Sequence, residues 1–171
     1  MTSKKTKLIA LSGLLSAMIF IVTLIHIPTG NGYTHAGDGV IYLTACILPA
    51  PYAVVSSAIG GLLADGLSGA AVWIPATIVI KSLTALCFSS KSKKIISVRN
   101  VLGIIPSFVL CFLGYSLYEA VFILNGFSWS VFLVALSQIW AYTIQVAASS
   151  ALFIAVGLVL DKTDFKNKFL K

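Results

Sequence analysis

Acidic residues are the scarcest chemistry in this chain. Five of its 171 residues are Asp or Glu, against 12 Lys or Arg, and charged residues of both signs make up 10%. Soluble domains carry about 25% charged residues. With 58% hydrophobic residues and a mean hydropathy of +1.01, the composition excludes an ordinary soluble fold. Cysteine is sparse as well. Cys46, Cys87 and Cys111 all sit in apolar runs, show no metal-ligand spacing, and cannot all pair with one another within one chain. They read as small apolar packing residues. No G-x-S-x-G, H-E-x-x-H or Cys–His arrangement occurs. Gly37-Asp38-Gly39 and Gly60-Gly61 lack the lysine and the strand–helix context of a phosphate loop. No enzyme, metal site or cofactor is therefore expected.

What the chain does have is long apolar runs bounded by basic clusters. Lys4, Lys5 and Lys7 precede the first run, Lys91, Lys93, Lys94 and Arg99 fall midway, and Lys162, Lys166, Lys168 and Lys171 end the chain. The net charge of +7 is thus not the one-faced patch of a nucleic-acid reader. It follows the positive-inside pattern of a membrane protein, with anionic lipid headgroups as partners. The first run, about 20 residues, has span length rather than signal-peptide length. Candidate helices cover approximately 8–27, 37–49, 51–68, 73–89, 99–124 and 129–160. The second is short for a span and needs shielding by its neighbours. Pro106 is expected to kink the fifth. For all three basic clusters to share the cytoplasmic side, an even number of crossings must separate them. The expectation is a single all-α integral membrane domain over residues 1–171, with six spans and both termini cytoplasmic. The external segments 28–38, 66–72 and 125–128 then contain no Lys or Arg, as the rule requires.

One basic residue breaks the pattern. Lys81 lies inside an apolar run, and a charge at mid-bilayer costs about 2.5–3.5 kcal/mol on insertion scales, so it is expected to face a cavity or the bundle interior. Trp73, Thr77 and Lys81 recur every four residues on one helix face. Tyr115 and Glu119 do the same on the fifth run, and Gln138, Tyr142 and Gln145 on the sixth. At 1.5 Å per residue, Lys81, Tyr115 and Gln138 lie roughly 12–14 Å from the outer helix ends, and Glu119 about 7–8 Å. These residues are candidates to meet in one cavity in the outer half of the membrane, with Lys81 and Glu119 as a ligand-facing pair or a structural ion pair. The glutamines and Tyr142 also suit interhelical hydrogen bonding. Asp38 is expected to cap the second helix, and Asp65 to bind loop backbone. On helix one, Ala10, Gly13 and Ala17 with Ser12 and Ser16 leave a low surface that another helix can approach.

The stretch 33–86 carries a recognisable order of motifs: Gly37-Asp38 opening helix two, a Pro49/Pro51 break, a small-residue helix ending in Ala64-Asp65, a turn with Gly66 and Gly69, then Pro75-Ala76-Thr77 followed by Lys81. In this the chain resembles the substrate-binding S components of energy-coupling factor (ECF) vitamin transporters. The resemblance implies six helices and a long first external loop, here with Asn31, Tyr33 and His35, closing over the ligand. It implies further ligand contacts from helices four to six, a membrane T component and two cytoplasmic ATPases as partners, and a bacterial cytoplasmic membrane location. It also implies docking of the T component on helix one, through Gly13 and Ala17 or through Ser12 and Ser16. Trp73, Tyr115, Trp129 and Tyr142 suit a flat heteroaromatic ring. Among S components the resemblance is nearest to those for pyridoxine or hydroxymethylpyrimidine, with riboflavin, pantothenate and a queuosine precursor also open. The alternative function is a stand-alone secondary carrier or small channel for a small polar solute.

Overall fold

The computed structural model describes residues 2–29, 32–124, 126 and 128–170. Nine α-helices, a 3-10 turn (Ala71–Trp73), a π turn (Glu119–Ile123) and one two-stranded ribbon occur among them. Helix α1 (Thr2–Leu24) is followed by β1 (His26–Thr29) and β2 (Gly32–His35), then α2 (Gly37–Ile47), α3 (Ala50–Leu67) and α4 (Ile74–Leu86). The second half comprises α5 (Val98–Leu102), α6 (Ile104–Tyr118), α7 (Trp129–Leu136), α8 (Ile139–Lys162) and α9 (Phe165–Leu170).

The chain is thus mostly helical, consistent with the expected all-α class, with one short ribbon added. The first helix stops at Leu24 instead of residue 27, because His26–Thr29 pairs antiparallel with Gly32–His35, His26 opposite His35 and Pro28 opposite Tyr33. Ile27 and Thr29 are β-branched and Pro28 cannot continue a helix, so the segment favours an extended ribbon.

Four helical stretches are long and apolar enough to cross a membrane: Lys4–Leu24, Ala50–Leu67, Val98–Ile123 and Trp129–Lys162. The other two expected spans are the shorter helices Gly37–Ile47 and Ala71–Leu86. Every residue of α2 is buried. A helix of that length, about 16 Å, is shielded by its neighbours on every side. It ends before Pro49, whose ring pushes Leu48 into extended backbone (φ −87°, ψ 150°). Pro51 then sits in the first turn of α3, where no amide donor is needed.

The two remaining runs are each divided. The fifth breaks at Gly103, between α5 and α6. Pro106 therefore falls in the first turn of α6 and causes no loss of a helical hydrogen bond. The close approach of Gly103 to the Cys87 carbonyl, 2.5 Å from where a Cβ would stand, explains a glycine there. After Tyr118 the helix widens into a π turn, Glu119–Ile123. The sixth run breaks at Ser137-Gln138, where the Ser137 hydroxyl donates to the Val134 carbonyl at 2.6 Å and competes with the helical ladder.

The main core gathers α1, α2, α3 and α8 around Ile19, Ile41, Tyr42, Leu48 and Phe153, all at most 1% exposed. Tyr42 stacks on Phe88 at 4.4 Å and accepts from the Ser107 hydroxyl at 2.9 Å. At one end, Asp161 accepts from the Ile95 and Ile96 amides at 2.7 and 2.9 Å, and Lys166 donates to the Ser92 carbonyl. These bonds hold the middle and C-terminal basic clusters at the same end of the bundle, as the charge pattern requires.

Candidate ligand-binding site

A second, smaller cluster surrounds Trp73, Ala76, Ile80, Cys111 and Tyr115. Beside it lies a partly open cavity, lined in part by Tyr33, His35, Trp73, Thr77, Lys81, Tyr115, Gln138, Tyr142 and Gln145. All nine are residues the sequence nominates. Asn31 lies outside the described residues. Trp129, proposed as a stacking residue, is 67% exposed and takes no part in the cavity.

Its walls follow from helical spacing. Trp73, Thr77 and Lys81 present one stripe from the start of α4, and all are buried. Gly61 on α3 lets that stripe approach: a Cβ there would stand 2.7 Å from the Thr77 methyl. Tyr115 comes from α6 and Tyr142 from α8, their rings nearly parallel with centroids 6.1 Å apart. Trp73 meets Tyr115 edge-on at 5.9 Å, and the Thr77 and Tyr115 hydroxyls share a hydrogen bond of 3.0 Å.

The expected Lys81–Glu119 pair does not form. Lys81 donates instead to Asp38 Oδ1 at 2.6 Å, and its ammonium lies 5.3 Å from the Tyr115 ring centroid. Asp38 in turn accepts from Gln145 Nε2 at 2.8 Å. Asp38 therefore does not cap α2; Ala36 stands at the cap, with no side-chain bond. Its carboxylate sits in the first turn of a wholly buried helix, where the macrodipole favours it, and there it neutralises Lys81. Glu119 is buried but does not line the cavity. The four-residue step from Tyr115 rotates it by about 40° around the helix, toward the break before α8. There both its oxygens accept from Gln138 Nε2.

The ribbon closes one side. Thr34 donates to the Ala141 carbonyl at 3.1 Å, and the Tyr33 hydroxyl donates to Asp65 Oδ1. Asp65 thus holds a side chain of the ribbon rather than loop backbone, and it lines the cavity together with Thr23, Thr29, Gly61 and Ala141. Those five were missed. Asp65 alone carried a signal, as one of five acids in an apolar chain. The others are small residues whose place at the wall depends on packing. Burial and the Asp65 carboxylate together push the Tyr33 phenol well above its ordinary range.

His35 is also held by its surroundings. Its Nδ1 accepts from the Gly37 amide at 3.0 Å, which places the proton of the neutral ring on Nε2. Burial lowers its pKa from 6.5 to about 4; Asp38 opposes the shift, while Lys81 and His26 add to it. The folded chain binds this proton less readily than the unfolded one. His35 should therefore contribute full stability above about pH 6.5, lost as pH falls toward about 4, with a ceiling of about 3 kcal/mol. Melting in detergent from pH 7.5 to 4.5 should show this acid limb, and His35→Asn, which keeps an acceptor for the Gly37 amide, should flatten it. An unchanged limb in the variant would assign the acid sensitivity elsewhere.

On α1, Ser16 is buried and donates to the Ser56 carbonyl at 3.1 Å, while Ser56 donates to the Ser12 carbonyl at 3.2 Å. Ser12 and Ser16 therefore meet α3. Gly13 and Ala17 are exposed, with nothing within 4 Å of a Cβ built on Gly13.

Residues 3–162 match the family described as ECF-type riboflavin transporter, S component. No curated protein and no solved structure matches the chain.

Proposed function

We propose, since this chain belongs to the family of ECF-type riboflavin transporter S components, that it captures riboflavin or a closely similar flat vitamin from outside the cell. It then delivers the ligand inward with a membrane T component and two cytoplasmic ATPases. Both termini lie in the cytoplasm of a bacterial cell. The family's description supports riboflavin, whereas the motif resemblance favours pyridoxine or hydroxymethylpyrimidine. The family match, which spans residues 3–162, outweighs the motif resemblance in this choice.

One observation carries the binding role. Asp65 Oδ2 is buried without a hydrogen bond of ordinary geometry, the Thr77 hydroxyl being the donor near its carboxyl, on the wall of a cavity edged by aromatic rings and capped by the β1–β2 ribbon. Buried acceptors in folded proteins are normally satisfied. A ligand bearing hydroxyl or N–H donors supplies the missing bond, while Trp73, Tyr115 and Tyr142 offer apolar faces to a ring.

Mass spectrometry of the small molecule released on denaturing the purified protein should identify riboflavin, with visible flavin absorbance before release. Release of a pyridoxine- or pyrimidine-type compound would replace the substrate and keep the class. Uptake into liposomes by this chain alone, without ATPases, would instead establish a stand-alone carrier.

A further inference from the structure

Two carboxylates behind the cavity decide what its two amides offer a ligand. The chain has two glutamines, Gln138 and Gln145, and both line the cavity. Gln138 Nε2 donates to Glu119 Oε1 and Oε2 at 2.8 and 3.0 Å. Gln145 Nε2 donates to Asp38 Oδ2 at 2.8 Å. Glu119 and Asp38 are 1% and 0% exposed, and neither lines the cavity.

An ionised carboxylate only accepts hydrogen bonds, whereas a primary amide has one donating and one accepting end. The orientation of each amide is therefore imposed by chemistry: a flipped amide would set oxygen against oxygen in a buried place, at the cost of an unsatisfied pair. With both nitrogens turned to the carboxylates, the carbonyl oxygens are the ends left for the cavity. Asp65 Oδ2, buried without a hydrogen bond of ordinary geometry, adds a third acceptor to the same wall. Gln138 and Gln145 are seven residues apart, about 10 Å along the helix.

We propose that Glu119 and Asp38 are positioning residues that lock Gln138 and Gln145 as hydrogen-bond acceptors, so that the site selects an elongated ligand carrying N–H or O–H donors at two separated points. This rests on the reading of the chain as a riboflavin-type capture subunit, and riboflavin meets the requirement with an imide N–H on its ring system and hydroxyls on its ribityl chain. A site built to hydrogen-bond a substrate group strongly rejects analogues lacking it, because its own buried polar atoms are then left unpaired.

The lock is tested without any ligand. Protein labelled with side-chain-¹⁵N glutamine in detergent should show two NH₂ groups, both in slow exchange with solvent. Glu119→Met should speed exchange of one group at least tenfold and leave the other unchanged. Fast exchange of both groups in the unaltered protein would overturn the lock. The selection is tested by binding riboflavin, N3-methylriboflavin and lumiflavin, the last two each lacking one kind of donor. The unaltered protein should bind each analogue at least tenfold more weakly than riboflavin, and Glu119→Met should reduce that discrimination to less than threefold for one of them. Should Glu119→Met fail to fold, the isosteric Glu119→Gln, whose own amide can accept from or donate to Gln138 and so lets it turn, gives the binding readout. Equal binding of all three flavins would overturn the selection. Failure to bind any of them would sink the riboflavin reading instead, and the exchange rates would still decide the lock.

Discussion

Lys81→Ala is expected to cost about 3–5 kcal/mol of stability, as removing one member of a buried pair does, and not only to weaken ligand binding. The reason is Asp38, which is fully buried and pairs with Lys81 at 2.6 Å. Without the ammonium its carboxylate keeps only the Gln145 amide and a long contact from Cys111 Sγ at 3.7 Å, too little for an ion removed from water. Asp38→Asn should be comparably costly, because it strands the lysine. The double variant Lys81→Met with Asp38→Asn should recover more than half of the loss, since neither charge remains and the asparagine oxygen still accepts from Gln145. Thermal melting of the unaltered protein, Lys81→Met, Asp38→Asn and the double variant in detergent forms a double-mutant cycle. Additive losses would show that the two charges are not coupled. The stable double variant should nonetheless bind riboflavin at least tenfold more weakly, because Lys81 also lines the cavity and a hydrogen bond to a charged group is worth about 1.5–3 kcal/mol.

Gly39→Val should destabilise the protein by about 3 kcal/mol, while Gly13→Ala on the outer face of α1 should stabilise it by up to about 1 kcal/mol. A Cβ at Gly39 would stand 2.4 Å from the Ser149 carbonyl oxygen of α8. That neighbour is backbone within a continuous helix and cannot rotate away, so α2 must shift, and overpacking of this kind costs roughly 1–3 kcal/mol or more. At Gly13 nothing lies within 4 Å, and the helix gains the propensity difference between alanine and glycine. The same melting experiments rank the two, and equal effects would contradict the helix packing described above. Gly13 also bears on assembly. Gly13→Leu should leave the fold intact yet abolish binding of a T component, because the leucine fills the low surface beside Ala17. Normal assembly of that variant would remove the docking assignment.

Much of the site was legible because helical spacing and burial depth are local quantities. Trp73, Thr77 and Lys81 had to share a face once α4 was a helix, and Gln138, Tyr142 and Gln145 nearly so. The partners were not legible, since a pairing depends on how far a neighbouring helix is rotated. Lys81 and Glu119 looked matched because both lie in the outer half of apolar runs and carry opposite charges. The depth estimate placed Glu119 nearer the outer surface but gave no direction around the helix. The missed partner, Asp38, was hidden by its position near a helix start, where an aspartate has an ordinary capping role. The helix breaks at Gly103 and Ser137-Gln138 fall within continuous apolar runs, so hydropathy alone could not reveal them.

The sequence by itself determined the solvent and the class. Charge scarcity, apolar run length and three basic clusters require a membrane protein, and the motif order from Gly37 to Lys81 marks its family. Only the tertiary structure decided which carboxylate neutralises Lys81, which face of α1 stays open, and which end of each glutamine amide meets the cavity. The physical reason is one of range: burial in a bilayer acts on every residue separately and is written along the chain, whereas a hydrogen bond needs two groups within about 3 Å, a distance set only when the helices pack.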